Sequence, residues 1–153
     1  MSRRIKLQKS ELRKILTERR KAISKERRDE AAQKALTALK DKGRVLSFSP
    51  FGSEIDLTPL NAHLKAEGRL SLVPYTLDAL LHVSFSEIDC ILVPGLGFDR
   101  DHFRIGYGRG DYDRFLARAG EILTIGVGFK EQLYEGVLPR DVWDIPLKEI
   151  LLF

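Results

Sequence analysis

Short β-rich runs that are almost entirely apolar limit the fold of this 153-residue chain more than any other feature. Five of them lie, in chain order, at residues 44–49, 69–73, 80–85, 88–93 and 122–129. Helical patterns separate several of these runs. Apolar strands that alternate with helices are typical of a mostly parallel sheet covered on both faces. We therefore predict an α/β sandwich, closed by an apolar run at 145–153 that could form an edge strand.

The N-terminal segment, residues 1–43, predicts two amphipathic helices. In the first, four apolar residues recur at helical spacing: Leu12, Ile15, Leu16 and Ile23. Ser24 can cap the second helix, and Gly43 signals its end. Residues 1–44 hold sixteen lysines and arginines against six acidic residues, whereas the remainder holds ten against sixteen. This positive charge could serve an anionic ligand, a nucleic acid or solubility alone.

Two more helices are predicted after the first strand. Thr58 as N-cap, Pro59 at the first helical position and Gly68 at the end mark one of them. The other begins at residue 111 or 112. It buries four residues at spacings of three and four: Tyr112, Phe115, Leu116 and Ala119.

Composition argues against an exported or membrane-embedded protein. No stretch approaches the ~18 apolar residues of a membrane helix, and the N-terminus lacks the apolar core of a signal peptide. The single cysteine, Cys90, lies in an apolar run and is expected to be a small buried hydrophobe. We expect a cytoplasmic monomer with one domain over 1–153, in which the helical segment precedes an α/β core at 44–153.

A glycine-rich stretch at 93–115 (VPGLGFDRDHFRIGYGRGDYDRF) predicts a strand, a loop and a helix start. Gly106, Gly108 and Gly110 let the backbone approach a ligand, and amides at a helix start can hold an anion. The pattern matches neither the P-loop nor the dinucleotide-binding fingerprint. A flexible connection with solubilising arginines therefore stays open as an alternative.

The arginines on either side of these glycines favour a phosphate site. Arg104 and Arg109 can offset phosphate charge from positions next to the bending backbone. The loops at 51–54 and 95–110 both follow predicted strands. Ligands of such sheets bind beyond the carboxyl ends of the strands, so the two loops should face one pocket.

Five other charged residues are candidates for the same site. Lys9 and Arg13 stand four residues apart and, on one helix face, could grip a phosphate chain. Asp113 either complements the helix dipole or binds magnesium, with Asp144 as a possible second carboxylate. Lys130 follows a strand, where it either starts a helix or meets developing charge.

These motifs together resemble the 5-formyltetrahydrofolate cyclo-ligase family. The specific matches are VPGLGFD, R-[IL]-G-x-G-x-G-x-Y-D-x-[FY]-L, GFKEQ and WDIPL. Weaker matches are the K-x-x-x-R of Lys9 and Arg13 and the segment at 48–56 that ends in E-I-D. Because the matches keep the family's order through nearly the whole chain, the protein is identified as a short, divergent member.

The resemblance implies a three-layer α/β/α sandwich, and an enzyme that uses MgATP. The reaction converts 5-formyltetrahydrofolate into 5,10-methenyltetrahydrofolate and releases ADP and phosphate. The formyl oxygen attacks the γ-phosphate to give an N5-iminium phosphate, and N10 then closes the ring. Such chemistry needs positioning and charge stabilisation rather than a protein nucleophile.

The resemblance also implies roles for individual residues. ATP would be held by Lys9, Arg13, Arg104, Gly106, Tyr107, Gly108, Arg109, Gly110, Asp111 and Tyr112. Magnesium would be bound by Asp113 and Asp144. Glu54 would hydrogen-bond the pterin ring of the folate, which Tyr107 and Tyr112 would also contact. The residues nearest the transferring phosphate would be Arg104, Arg109 and Lys130.

Three departures from the family pattern bear on these roles. Asp111 stands where the first of two paired tyrosines is usual, and its charge should repel phosphate. Arg109 replaces the usual lysine or glycine. Only thirteen residues separate Pro74 from Ile88, where the family carries a longer excursion that lines the folate pocket.

Two alternatives remain open at this point. The chain could be a nucleotide-binding paralogue with a lost or changed folate substrate. It could instead be a nucleic-acid-binding module that uses the basic N-terminal helices, which is less favoured because no aromatic residues interleave their charges. We therefore expect a reduced folate and ATP as partners, and neither a membrane nor a nucleic acid.

Overall fold

A parallel five-stranded sheet with helices on both faces forms the fold, in a computed structural model that describes residues 2–74, 76–108 and 111–153. The helices are α1 Arg3–Lys21, α2 Lys25–Leu39, α3 Thr58–Ala66, α4 Leu77–Leu81 and α5 Asp111–Ala117. The strands are β1 Val45–Ser47, β2 Leu70–Leu72, β3 Cys90–Val93, β4 Gly97–Phe98, β5 Arg104–Ile105, β6 Leu123–Gly128 and β7 Glu149–Leu152. A 3-10 turn at Lys130–Gln132 follows β6.

The sheet has the strand order β2-β1-β3-β6-β7, and every pair in it is parallel. Cys90 in β3 stands opposite Val45 of β1 and Leu123 of β6, which fixes the register of the three central strands. The last strand, β7, pairs with β6 alone. The predicted parallel sheet and the edge strand in the final apolar run are therefore confirmed.

Successive side chains of the central strands point to opposite faces of the sheet, and both faces are buried. Cys90 and Leu92 pack in the cluster that contains α2 and α3 residues. Ile91 and Val93 pack in a second cluster with Phe115 of α5. All four strand residues are fully buried, as expected for a strand covered on two sides. The three-layer α/β/α arrangement is confirmed.

Helix α1 packs beside the sheet on a small antiparallel hairpin formed by β4 and β5. Leu16 contributes to a third apolar cluster with Leu96 and Ile105 of the hairpin region. The hairpin approaches the helix so closely that a Cβ on Gly97 would lie 2.8 Å from Leu16 Cδ1. The buried residues of α1 are Lys9, Leu16 and Arg20, so its inner face carries two cations toward the interior.

The predicted signals for α2 and α3 were correct with one change, whereas α5 ends at Ala117, before the predicted helix residue Ala119. The Ser24 hydroxyl accepts a hydrogen bond from the Arg27 amide at 3.1 Å and caps α2 as predicted. Helix α3 begins at Thr58 itself, and the Thr58 amide donates to the Asp56 carboxylate at 2.9 Å. Thr58 is therefore not the cap. Gly68, with φ +69°, follows the end of α3 as expected.

The predicted strand at 80–85 is wrong. Residues 77–81 form α4, where the Thr76 hydroxyl accepts from the Ala79 amide at 3.2 Å. The Arg118 guanidinium donates to Leu80 O at 3.5 Å and to Val83 O at 3.0 Å. Carbonyl groups of this segment are thus satisfied by a side chain instead of a neighbouring strand.

Nothing in the described helices combines the length and apolar character that a membrane span requires.

Candidate active site

A cavity of about 830 Å³ lies where β1, β2 and β3 end. Its wall includes Ser49 after β1, Pro74 after β2 and Pro94 after β3. Phe51 and Glu54 line it from one predicted loop, and residues 104–108 line it from the other. Both loops therefore face one pocket at the carboxyl ends of the strands, as the sequence predicts.

Most of the predicted site residues line this single cavity. They are Lys9, Arg13, Glu54, Arg104, Gly106, Tyr107, Gly108, Tyr112, Asp113 and Asp144. Arg109 and Gly110 lie outside the described residues, and so does the side chain of Asp111. The roles predicted for these three residues stay predictions.

Lys130 is the predicted site residue that the structure does not bring to the cavity. It is exposed in the 3-10 turn after β6, and its amide donates to Phe153 O at 3.1 Å. Its charge helps to lower the pKa of Glu30 on α2, after the larger effect of Lys34. The turn therefore directs Lys130 toward α2 and outside the cavity lining, and its role near the transferring phosphate stays a prediction.

One wall of the cavity is cationic. Arg13 Nε donates to Gly106 O at 2.8 Å, and a Cβ on Gly108 would lie 3.1 Å from the Arg13 guanidinium carbon. Gly108 has φ +96°, a conformation that favours glycine. Burial lowers the pKa of Arg13, and the charge of Arg104 lowers it further. An anion between these two guanidinium groups would relieve their repulsion.

Arg104 is positioned by a backbone carbonyl and an aromatic ring. Its Nε donates to Pro94 O at 2.9 Å, and its guanidinium carbon lies 5.1 Å from the centroid of the Tyr112 ring. Burial lowers the pKa of Arg104, whereas the nearby Asp113 raises it. Burial also raises the pKa of Tyr112, so that its hydroxyl stays protonated beside the cation.

Two carboxylates line the cavity beside these cations. Asp144 Oδ2 accepts from Lys9 Nζ at 2.6 Å and from the Asp141 amide at 2.8 Å. The Ile145 amide lies 3.5 Å from Asp113 Oδ1. Burial raises the pKa of Asp113, and although Arg104 opposes this, the charge of Asp144 adds to it. A cation between the two carboxylates would offset both effects.

These carboxylates fit a magnesium ion. Magnesium takes oxygen ligands and needs only one or two protein carboxylates when phosphate oxygens and water complete its shell. Within the described ranges, no group of three or more histidine, cysteine, aspartate or glutamate residues could hold a metal. Any magnesium ion held here would depend on these two carboxylates together with ligand or water oxygens.

Glu54 forms an acceptor on the floor of the cavity. The Phe51 amide donates to Oε1 at 2.7 Å, and the Tyr107 hydroxyl donates to Oε2 at 3.2 Å. Burial raises the pKa of Glu54, while these two donors and the charges of Arg20 and Arg104 lower it. The carboxylate can accept further hydrogen bonds from a ligand with N–H donors.

Sequence reasoning missed two features of the site. Arg20 is 3% exposed, and its guanidinium donates to Tyr107 Oη at 2.7 Å. Trp143 lines the cavity although 63% of its surface is exposed. The helical spacing of Arg20 from Leu16 and Lys9 could have placed it on the inner face of α1. The position of Trp143 next to Asp144 was the available signal for its place in the cavity.

The shortened segment after β2 contributes to the wall. Val73, Pro74, Thr76 and Leu80 line the cavity, while Tyr75 lies outside the described residues. Helix α4 packs against α5 through the apolar cluster of Leu80 and Phe115. The segment therefore closes part of the cavity despite its length.

Comparisons with known proteins agree on one family. A sequence model of the 5-formyltetrahydrofolate cyclo-ligase family matches residues 77–152. The cyclo-ligase of Escherichia coli K12 is 27% identical over an alignment of 175 positions, which covers 90% of this chain and 96% of the relative. The relative from Mycoplasma pneumoniae is 37% identical over 67 residues. That match covers 43% of this chain and spans only 40% of the relative's length.

Two solved structures share the fold. The NMR structure of Aquifex aeolicus 5,10-methenyltetrahydrofolate synthetase has a TM-score of 0.75 and 32% identity, and the match covers 93% of this chain and 88% of that one. A 5,10-methenyltetrahydrofolate synthetase from Mycoplasma pneumoniae has a TM-score of 0.76 at 24% identity, covering 93% and 96% of the two chains. With the motifs and the fold, the similarity to the Aquifex protein shows that this chain belongs to the 5-formyltetrahydrofolate cyclo-ligase family.

Proposed function

We propose that this protein catalyses the ATP-dependent cyclisation of 5-formyltetrahydrofolate to 5,10-methenyltetrahydrofolate, with release of ADP and phosphate. The observation that carries the proposal is the single cavity, which brings together a cationic wall, a pair of carboxylates and the Glu54 acceptor. Membership of the cyclo-ligase family supports it. ATP belongs at the charged end of the cavity and the folate at the Glu54 end.

The charged end suits the triphosphate. Arg13 and Arg104 supply guanidinium groups that can hold phosphate oxygens through forked hydrogen bonds. Lys9 lies with Asp144 at the same end and adds an ammonium group. We propose that Asp113 and Asp144 hold magnesium, which when bound neutralises phosphate charge and orients the γ-phosphate.

The Glu54 end suits the pterin ring of the folate. A pterin presents N–H donors on one edge, and Glu54 offers a carboxylate that both the Phe51 amide and the Tyr107 hydroxyl hold in place. Apolar wall residues, among them Phe48, Val73 and Leu80, are suited to the flat ring. The short segment after β2 supplies two of them.

The chemistry requires placement of two substrates and stabilisation of charge. The formyl oxygen forms a bond to the γ-phosphorus, and the bond from that phosphorus to the β,γ-bridging oxygen breaks so that ADP leaves. N10 then attacks the formyl carbon, the carbon–oxygen bond breaks to release phosphate, and the proton of N10 passes to the departing phosphate. Arg104 and Arg13 would stabilise the charge on the transferring group, while Glu54 and Tyr107 would orient the folate.

One assay tests the proposal. The purified protein is incubated with MgATP and 5-formyltetrahydrofolate while methenyltetrahydrofolate absorbance and ADP are followed together. Stoichiometric formation of both products supports the cyclisation. Nucleotide binding without turnover would instead point to a paralogue with another substrate. Salt-sensitive affinity for nucleic acid without nucleotide binding would overturn both interpretations.

Gly106→Ala should disturb ATP use without unfolding the protein. A Cβ at this position would lie 2.2 Å from Arg104 Nη2, so the guanidinium end must shift. Gly106 does not have a positive φ, so alanine is compatible with its backbone. A misplaced charged group can cost about a hundredfold in rate, and we expect a decrease of that order in kcat/KM for ATP, measured by the coupled release of ADP.

Gly136→Ala is the matched control for this change. There a Cβ would lie 3.2 Å from a Tyr134 ring carbon, and Gly136 does not line the cavity. Its kinetics should be those of the parent protein. Unchanged kinetics in the Gly106 variant would show that ATP use does not depend on the observed position of the Arg104 guanidinium.

The fluorescence of Trp143 should report ligand binding directly. It is the only tryptophan of the chain, and it lines the cavity with 63% of its surface exposed. A bound ligand would remove water from the indole and change its emission, so titration with 5-formyltetrahydrofolate or ATP should give a saturable signal. Trp143→Phe should abolish that signal. A constant emission, while calorimetry detects binding, would exclude Trp143 from the ligand surface.

A further inference from the structure

A buried arginine joins three loops behind the cavity without lining it. Arg20 donates from Nε to Ser53 Oγ at 2.8 Å, from Nη1 to Gly95 O at 3.0 Å and from Nη2 to Tyr107 Oη at 2.7 Å. All three guanidinium nitrogens are thus engaged, and the side chain is 3% exposed. Its guanidinium carbon also lies 5.7 Å from the centroid of the Tyr107 ring. Of its partners, Tyr107 belongs to the cavity.

These contacts determine where the Tyr107 proton points. A guanidinium group has donors and no acceptor, so the hydroxyl oxygen must accept from Arg20. The hydroxyl has one proton, and Glu54 Oε2 lies 3.2 Å away as its acceptor. The other oxygen of Glu54 accepts from the Phe51 amide at 2.7 Å. Both oxygens are acceptors, an arrangement that the carboxylate form satisfies without placing a carboxyl proton beside either donor.

The donors and cations around Glu54 favour its ionised state, against the larger effect of burial. Burial raises the pKa of Glu54, and the groups that oppose burial are the Phe51 amide, Arg20 from α1, the Tyr107 hydroxyl and Arg104 from β5. Burial also raises the pKa of Tyr107, which keeps its proton available for donation. Arg20 therefore acts on Glu54 both through its charge and through the hydroxyl that it orients.

We propose that Arg20 is a positioning residue that directs the Tyr107 hydroxyl proton to Glu54 and so keeps Glu54 an acceptor for the N–H donors of the bound ligand. The identity of that ligand as a pterin rests on the proposed function. The positioning itself rests on the three hydrogen bonds of Arg20 and on the one between Tyr107 and Glu54.

A titration of the ligand-free protein tests the proposal. Glutamate labelled with carbon-13 at the carboxyl position is incorporated, and Glu54→Gln identifies the Glu54 resonance. We expect the midpoint of the Glu54 titration to move to higher pH in both Arg20→Met and Tyr107→Phe. Arg19→Met, which changes the exposed neighbour on α1, should leave it in place. An unchanged midpoint in a folded Arg20→Met or in Tyr107→Phe would overturn the proposal.

A second variant covers the case in which Arg20→Met does not fold. Arg20→Lys keeps the positive charge but cannot donate from three forked nitrogens. The midpoint of the Glu54 titration should also move to higher pH in this variant. An unchanged midpoint would show that the forked donors of Arg20 are not needed, and would reject the proposal. Loss of the cooperative thermal transition in both Arg20 variants would show that Arg20 is needed for folding, and would also reject the proposal.

The pH dependence of turnover gives a separate measurement. At acidic pH, the KM for 5-formyltetrahydrofolate should rise about tenfold in Tyr107→Phe, which is the effect of one lost hydrogen bond to a charged group. The difference should shrink as pH rises, because Glu54 then ionises without help. If the parent protein forms no methenyltetrahydrofolate, the proposed function fails, while the carboxyl titration still decides the role of Arg20.

Discussion

Arg104→Ala should lower kcat/KM for ATP by about a thousandfold, the upper range for removal of one preorganised charged donor. Arg104 lines the cavity, and its hydrogen bond to Pro94 O uses Nε. Among the described residues, this leaves the two terminal nitrogens as donors for a ligand. Arg13 has its Nε engaged by Gly106 O in the same way, so its terminal nitrogens act beside those of Arg104 and do not take their place.

The folding of this variant separates a binding role from a structural one. The loss of one hydrogen bond and one cation–π contact should lower the thermal midpoint by only a few degrees. Arg104→Lys should keep part of the activity, because it retains the charge without the fork. The exposed Arg100, which pairs with Glu135 at 3.1 Å, provides the control Arg100→Ala. Loss of the folded state in Arg104→Ala would mean that the loop assignment is wrong.

The central sheet could be predicted from sequence because its strand sequences are compatible with few other structures. Runs such as 88–93 are nearly all apolar and too short for a helix, so a strand buried on both faces is the structure that satisfies them. The run at 80–85 has the same apolar character, yet residues 77–81 form a helix. There the local cap of Thr76 and the distant donor Arg118 decide the structure, and only the first is visible in the sequence.

The sequence predicts which residues meet in the cavity where the strand topology alone determines their positions. Glu54 and Arg104 meet because loops that follow parallel strands share one edge of the sheet. The same argument fails for Lys130, since a position after a strand does not determine the face toward which the chain turns. The burial of Arg20 could not be predicted, for another reason. Its burial depends on Ser53, Gly95 and Tyr107, three residues that are distant in sequence and adjacent only in the folded chain.

Asp113→Asn should combine a large loss of activity with unchanged or increased stability. Burial raises the pKa of Asp113 in the folded protein, and the charge of Asp144 contributes to this. A carboxyl whose pKa is raised by folding destabilises the folded state at pH values where it is ionised. Asparagine mimics the protonated form, so it removes this cost. The thermal midpoint near neutral pH should therefore stay constant or rise by a few degrees.

The activity of Asp113→Asn, in contrast to its stability, should decrease. If Asp113 holds magnesium against the phosphates, its replacement removes a ligand whose contribution to charge stabilisation is about a thousandfold in kcat. The midpoint of the magnesium dependence should also move to higher concentration, and binding of Mn²⁺ in the presence of a nonhydrolysable ATP analogue gives a readout that is independent of turnover. Asp29→Asn, at an exposed carboxylate paired with Lys25 at 2.7 Å, should change neither property. A marked loss of stability in Asp113→Asn, with metal binding intact, would instead identify Asp113 as a structural residue of α5, held by contacts such as the one to the Ile145 amide.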